Sequence, residues 1–535
     1  MTEPSQRAVS ALVAVLAAAV LVAIASIKLE GQGPYYDELH QATGAFTWTG
    51  SPPEMFCSLH VGRWCLLNMS YSGAIKTNAY GLYLRLSGSG FDLVTWRLLG
   101  VGFAAVGLVG FGVLASRTLG AGAMALACAF SILDTSLLVM SRFDWGPVAL
   151  GAALRFLMLG AWLSTRPNDP GVDRARFCVG LLAGLAVTEK LSSVVLVPVA
   201  VLLVAADARP GARARSLGVA GFGLLVGLLP LLGLNGYSLV THGGLVSLAD
   251  ATSGPPRSWS ALWGFGRQYL GLGQGEAARV FTLGMVSDQR LGSLEAGLLI
   301  GLSAGIVGTA VSSAWRVNPV LRRAALCVIA YWVIGIEIFL LPATTWAHHW
   351  IIGTPFQYVG VALWIQGLRS RAARDVRGAL LGIGTVVIAL VARVPTLLQT
   401  VANLQAGSAA SSFDRSFAVL GEFGARKADD AVFVASDWGV ATQLYCYSGG
   451  RPGIVHQLFR DYQGPDQIEG IWRDSGKREL FVVRLEPPSS VKPDVTRRIE
   501  AETNADQRWH ATAVPHEVSS LSRVRVSGFV RSGSR

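Results

Sequence analysis

Gly33-Pro34-Tyr35-Tyr36-Asp37-Glu38-Leu39-His40 follows almost directly on an apolar run, Val9 to Ile27. The run is long enough to cross a bilayer as a helix. Two adjacent carboxylates beside hydrocarbon are unfavourable to keep, and in such a place they usually mark function. The flank Ser26-Ile27-Lys28-Leu29-Glu30 has no small-x-small cleavage site, and further apolar runs follow. The run therefore reads as a retained first span and not as a signal peptide.

The remainder of the chain extends this reading. Its 535 residues are 51% hydrophobic and 15% charged, with a mean hydropathy of +0.45. These values exclude a soluble globular protein. Windows of about 20 residues predict eleven spans, at 9–28, 93–115, 119–140, 146–164, 177–188, 190–206, 216–238, 291–314, 323–342, 348–367 and 378–395. The short 177–188 segment reads as half of a bent hairpin with 190–206. With the N-terminus inside, the inner loops carry Arg117; Arg166, Arg174 and Arg176; Arg209, Arg213 and Arg215; Arg316, Arg322 and Arg323; and Arg369, Arg371, Arg374 and Arg377. The short outer connections hold little beyond Arg142 and Lys190. This asymmetry follows the positive-inside rule and accounts for the net charge of +11. No basic run is interleaved with aromatics, so a nucleic-acid partner is not expected. Asp37-Glu38, the 29–92 loop, the 239–290 loop and the C-terminal region all fall on the outer face.

Ser70 to Tyr83, near Trp48, Trp64 and Trp96, has the spacing of an interfacial helix. The 239–290 loop reads equally as a second interfacial element, a mobile lid or an irregular connection. Residues 396–535 form a separate soluble outer domain, after a membrane domain at 1–395. Ala431–Ala435 and Leu480–Leu485 read as buried strands, Val524–Val530 as an edge strand, and helical stretches lie between them. The fold class is thus mostly α: a polytopic membrane protein of about eleven helices with a small C-terminal α/β domain. Asp437 follows the first of these strands and reads as a cap for the next helix. Cys57 and Cys65 share the first outer loop, where either a disulfide or two free thiols would be tolerated. Cys128, Cys178 and Cys327 read as inert packing residues, and Cys446 has no obvious partner. Sparse Lys and abundant Arg suggest a GC-rich bacterium and hence the bacterial inner membrane.

One span, an acidic pair, a long outer loop and many further spans form a layout that resembles the GT-C superfamily of glycosyltransferases, which use polyprenyl-phosphate sugars. It looks most like glycosyltransferase family 39 and its bacterial relatives, the protein O-mannosyltransferases and lipid A aminoarabinose transferases. The resemblance covers residues 9–395. It implies an inverting transfer from a polyprenyl-phosphate sugar to an outer-face lipid, glycan or protein. Phosphate leaves as a stable anion, so the site needs a base for the acceptor proton and cations for the phosphate, but no general acid.

By the resemblance Asp37 is the base, with Glu38 in the second acidic position. Asp144, in Ser141-Arg142-Phe143-Asp144-Trp145-Gly146-Pro147, matches a carboxylate that relatives carry in the turn between the third and fourth spans. Asp144 could equally pair with Arg142 and cap the fourth helix. Lys190, in Gly184-Leu185-Ala186-Val187-Thr188-Glu189-Lys190, matches a family Gly-Leu-Ala-x-x-Thr-Lys stretch, although Glu189 intervenes and could neutralise it. His348-His349, ahead of Pro355, match a basic pair before a Pro-containing helix. Lys190, His348, His349 and Arg142 are thus the donor-phosphate candidates. Arg63, Lys76, Arg85 and Arg267 are further outer cations. Asp134 and Arg155 are expected to pair inside the membrane, and Glu337 faces either the cavity or a structural partner. The sequence assigns no cofactor, and the polyprenyl-phosphate sugar is the donor substrate that the resemblance implies. A divalent cation could bind if Asp37, Glu38, His40 and Asp144 converged, although no Cys/His spacing resembles a zinc site. A lipid or sugar transporter or flippase is the competing class, but it would place its polar groups near the midplane. A non-catalytic scaffold of the same fold is the other.

Overall fold

In a computed structural model, residues 3–165, 169–251, 254–286, 289–311, 318–342, 345–369, 376–486 and 490–531 are described. Arg166, Arg316, Arg371 and Arg374 of the charge count lie outside them. The N-terminal helix α1 (Glu3–Ala25) leads to α2 (Tyr36–Thr43), a short β1–β3 sheet (Leu59–Val61, Trp64–Met69, Ser72–Gly73) and α3 (Ile75–Ser87). Then come α4 (Leu93–Ala115), α5 (Ala121–Ile132), α6 (Thr135–Phe143), α7 (Val148–Leu163), α8 (Val172–Glu189), α9 (Leu196–Asp207) and α10 (Arg213–His242). The 239–290 loop is largely helical, with α11 (Val246–Ala251), α12 (Leu262–Leu270) and α13 (Glu276–Leu283). Next come α14 (Gln289–Val311), α15 (Pro319–Leu340), α16 (Ala347–Trp350), α17 (Thr354–Arg369), α18 (Val376–Val391) and α19 (Val394–Ala406).

Each of the eleven expected spans is largely helical where it is described, with 312–314 of the 291–314 span outside the described residues. Among the described residues, six helices are long and apolar enough to cross a membrane: 5–25, 93–115, 210–242, 289–309, 319–340 and 377–406. The α5–α6 pair makes a seventh if its bend of 61° is counted as one broken span. Val148–Leu163 and Leu191–Asp207 are apolar but shorter. The α5–α6 break has a local cause. The Asp134 carboxylate accepts the Leu137 amide at 2.9 Å, capping a new helix where the old one stops. The last span runs on to Ala406, past residue 396.

Small residues set the closest packing. Gly180 and Gly184 on α8 face Gly223 and Gly227 on α10, and a Cβ on Gly180 would fall 1.8 Å from the Ala220 carbonyl. Backbone approach of this kind is how apolar helices associate without a hydrophobic drive.

The loops segregate into two groups at opposite ends. At one end Arg323 pairs with Asp207 at 2.7 Å and donates to the Thr165 carbonyl at 2.7 Å, while Gln366 donates to the Thr118 carbonyl at 2.8 Å. These are loops that the charge count groups together. At the other end, α11 hangs on the β2–β3 turn through Ser247 to the Ser70 carbonyl and through Ser70 to Asp250 at 2.5 Å. A Cys57–Cys65 disulfide ties the β1–β2 hairpin. Helix α3 shows Leu82, Tyr83 and Leu86 outward, and the chain around α12 shows Trp259, Leu262 and Trp263. Both have the exposed apolar faces of interfacial helices.

The C-terminal region contains α20 (Ser416–Lys427), β4 (Ala431–Ala435), α21 (Ala441–Tyr447), β5 (Val455–Gln457), α22 (Pro465–Ser475), β6 (Glu479–Leu485), α23 (Pro493–Ala505), β7 (Trp509–Thr512) and β8 (Val524–Arg531). The sheet order is β5-β4-β6-β8-β7, parallel through β5, β4 and β6 and antiparallel beyond. The expected edge strand β8 is therefore interior, and β5 and β7 are the edges. Asp437 does not cap α21. Its Oδ1 accepts the amides of Trp438 at 2.9 Å and Val491 at 3.1 Å, fixing the chain beyond β6. The domain rests on α2: Trp438 lies 4.6 Å from the Tyr36 ring, and the Tyr36 hydroxyl donates to Gln457 at 3.1 Å. Gln443 reaches the Pro34 carbonyl at 3.2 Å.

Candidate functional site

The acidic pair is split by the pitch of α2. Successive residues of a helix point about 100° apart, so Asp37 and Glu38 cannot share a face. Glu38 turns into the protein and is fully buried. There it forms a two-pronged ion pair with Arg97 of α4, at 2.7 and 2.8 Å, and accepts the Tyr35 amide at 3.3 Å. Arg97 also donates to the carbonyls of Leu29, Gln32 and Gly33. Glu38 is therefore not placed as a base. It is the clamp that fixes the connection from the first span to α2.

Asp37 faces the other way, into a cavity of about 480 Å³. The same cavity is lined by Lys190, His348 and His349, so four of the sequence candidates converge. It is also lined by His40, Tyr71 and Asp250, and by the apolar Val194, Leu248 and Leu341. Among the described residues, neither Asp37 nor Lys190 is closed off by a salt bridge. Burial raises the proton affinity of Asp37, while Lys190 and the Tyr35 hydroxyl oppose the rise. Burial lowers Lys190 to about 8, with Asp37 and Asp144 holding it up. Glu189 does not neutralise it; that carboxylate sits against Gly73 instead.

Lys190 reaches the cavity because the chain between α6 and α7 makes room. Gly146 has a φ of +86°, and a Cβ there would lie 2.5 Å from the Lys190 Nζ. Asp144, next door, adopts a left-handed φ of +46° and ends α6. Its carboxylate does not enter the cavity. One oxygen pairs with Lys76 at 2.7 Å and the other accepts the Ala149 amide at 2.9 Å, starting α7. Lys76 lies 3.9 Å over the Trp96 ring. Arg142 pairs with neither Asp144 nor the cavity. It donates to the carbonyls of Ala25, Ile27 and Lys28, and to Gln32 at 2.8 Å. Asp144 and Arg142 thus hold the walls of the site. Asp37, Glu38, His40 and Asp144 do not converge, the condition under which a divalent cation could bind. Among the described residues no group of three or more His, Cys, Asp or Glu could hold a metal.

The two histidines are fixed in one tautomer. The Trp145 indole donates to His348 Nδ1 at 3.2 Å, and the Trp346 amide donates to His349 Nδ1 at 3.1 Å. Each ring therefore keeps its proton on Nε2. The rings are in contact, with centroids 3.9 Å apart and planes tilted by 43°. Burial holds both well below the ordinary imidazole range, with Lys190 adding to the effect. They are neutral donors and not cations.

Two expectations outside the cavity also change. Asp134 and Arg155 do not pair. Asp134 accepts the Tyr358 hydroxyl at 2.6 Å, in a buried group with Arg393 and Glu295. Arg155 Nε and Nη2 are buried without partners. Glu337 does not line the cavity. Of the remaining outer cations, Arg63 stacks on Trp48 at 4.8 Å and Arg267 lies 3.4 Å from Glu276. The sequence reading gave Tyr71 and Asp250 no role, and it considered His40 only as a metal ligand. The spacing Asp37-x-x-His40 places both on one helix face and could have flagged His40. Tyr71 and Asp250 reach the cavity only through the contact of α11 with the β2–β3 turn, which leaves no local signal.

No family model and no curated protein matches this sequence. Among solved structures, the chain resembles ArnT from Cupriavidus metallidurans bound to undecaprenyl phosphate, with a TM-score of 0.60 at 14% identity, over 97% of this chain and 98% of that one. It also resembles the arabinofuranosyltransferase AftD from Mycobacteria, with a TM-score of 0.53 at 14% identity, over 97% of this chain and 40% of AftD. The chain thus shares the ArnT fold over nearly its whole length, as the sequence resemblance implied for residues 9–395; the likeness extends to the C-terminal region, which that resemblance did not cover.

Proposed function

We propose that the protein is a membrane glycosyltransferase that moves a sugar from a polyprenyl-phosphate donor to an acceptor hydroxyl at the outer face of a bacterial inner membrane. The observation that carries this reading is the meeting of Asp37 and Lys190, both without a salt-bridge partner, in one cavity with an apolar flank. A carboxylate and an ammonium held apart from each other match the two charges that this transfer develops. The acceptor oxygen attacks the anomeric carbon as the carbon–oxygen bond to phosphate breaks, inverting the centre. Asp37 takes the acceptor proton. Lys190 and the Nε2–H groups of His348 and His349 hold the departing phosphate. Val194, Leu248 and Leu341 offer apolar contact to the start of the lipid chain.

ArnT with undecaprenyl phosphate supports a lipid phosphate as ligand of this fold, and AftD supports glycosyl transfer. The N-terminus is placed inside and the C-terminal domain outside, on the charge asymmetry of the loops. The acceptor is an outer-face lipid, glycan or protein. The test is sugar transfer by the full-length protein in liposomes, from undecaprenyl-phosphate hexoses and pentoses to envelope extracts. Turnover that disappears in Asp37→Asn supports the reading. Vesicle uptake of sugar or lipid without transfer would instead establish a transporter.

A further inference from the structure

His40 is one helical turn from Asp37 and lines the same cavity, yet it is only 5% exposed and neither ring nitrogen has a hydrogen-bond partner. One face of the ring packs on Phe56, with centroids 5.5 Å apart. A buried imidazole with both nitrogens unmet is a poor packing residue, because an apolar side chain would fill the space and strand nothing. None of the cavity's other polar groups, Tyr71, Ser72, Ser192, Asp250 and Thr345 included, hydrogen-bonds to it. His348 and His349 have their Nδ1 atoms occupied, which leaves each a donor only. Lys190 is likewise a donor only, and ionised Asp37 is an acceptor only.

This divides the cavity by chemistry. A phosphate accepts only, and it suits the donor-only end made by Lys190 and the two histidines. A neutral imidazole donates from one nitrogen and accepts at the other, which suits hydroxyl groups, themselves donors and acceptors at once. Burial and the charges of Lys190 and Lys76 keep His40 uncharged, down to about 3. Resting on the glycosyl-transfer reading above, we propose that His40 is a specificity-determining residue that grips hydroxyls of the donor's sugar through both ring nitrogens, beside the Asp37 carboxylate.

The experiment compares binding of undecaprenyl phosphate with that of undecaprenyl-phosphate hexoses and pentoses, by thermal shift on the full-length protein without acceptor. The wild type binds at least one sugar-bearing lipid more tightly than the bare lipid phosphate. His40→Phe erases that increment, a loss of about tenfold or more, and leaves the affinity for bare undecaprenyl phosphate unchanged. His40→Gln, whose amide also donates and accepts, keeps part of the increment and serves if the Phe variant does not fold. An intact increment in both variants overturns the proposal, as does a wild type that gains nothing from any sugar. An increment that survives while transfer alone falls would move His40 to the acceptor's hydroxyl and also overturn it. Failure of bare undecaprenyl phosphate to bind would instead sink the glycosyl-transfer reading itself.

Discussion

Asp37 works between two opposing pulls, burial that favours its neutral acid and the Lys190 charge that favours its carboxylate. Replacing it with Asn removes the carboxylate proposed as the base and leaves the cavity shape unchanged. Turnover should fall by ~10²–10⁴-fold, with undecaprenyl phosphate binding retained. Glu38→Gln should behave oppositely. It uncouples a buried ion pair and strands Arg97, which costs about 3–5 kcal/mol, so the lowered melting temperature is the readout. Lys190 sets the pH dependence. Its ammonium is lowered to about 8, so donor affinity should be full below that value and decline as pH rises through it. Lys190→Met should bind weakly and show no such decline. His348 and His349 stay neutral throughout and add no step. At this scale the sequence showed which residue types gather at one end of the spans, but not which way they point. Asp37, Lys190, His348 and His349 could be read because each sits where a span ends. The pairing of Glu38 with Arg97, 59 positions away, left no local trace.

Between elements, the α6–α7 turn decides how far Lys190 can reach. Gly146 occupies a conformation that a side chain adopts with ~1–2 kcal/mol of strain, and its missing Cβ is the space that the ammonium fills. Gly146→Ala should therefore yield a folded protein with donor affinity reduced about tenfold, measured by titration with undecaprenyl phosphate. An unchanged affinity would show that Lys190 can approach by another path. Helix existence was legible throughout, because long apolar runs carry their own signal. The α5–α6 break was not, because Asp134 reads as a buried charge awaiting a partner and acts instead as a cap. The interior position of β8 was hidden for a similar reason, since alternation alone does not reveal what lies on either side.

Over the whole molecule, the membrane domain and the sheet domain share a core. Tyr36, Leu39 and Phe46 of the 29–92 loop pack with Leu444 and Tyr445 of α21 in one apolar cluster. A chain ended after Gly407 would expose that cluster and uncover the helix bearing Asp37. It should lose undecaprenyl phosphate binding and melt at a lower temperature than the full chain. Unchanged melting and binding would make the sheet domain an appendage.

The Cys57–Cys65 bridge carries a consequence for how the chain sits in its cell. A disulfide persists only where the surroundings are oxidising, so this hairpin acts as a built-in compass, independent of any arginine tally. In intact cells the two sulfurs should resist maleimide until an impermeant reductant is added, and then react from outside. Thiols reachable only after the cytosol is opened would mean that the protein is threaded upside down and that its cavity opens toward the wrong compartment.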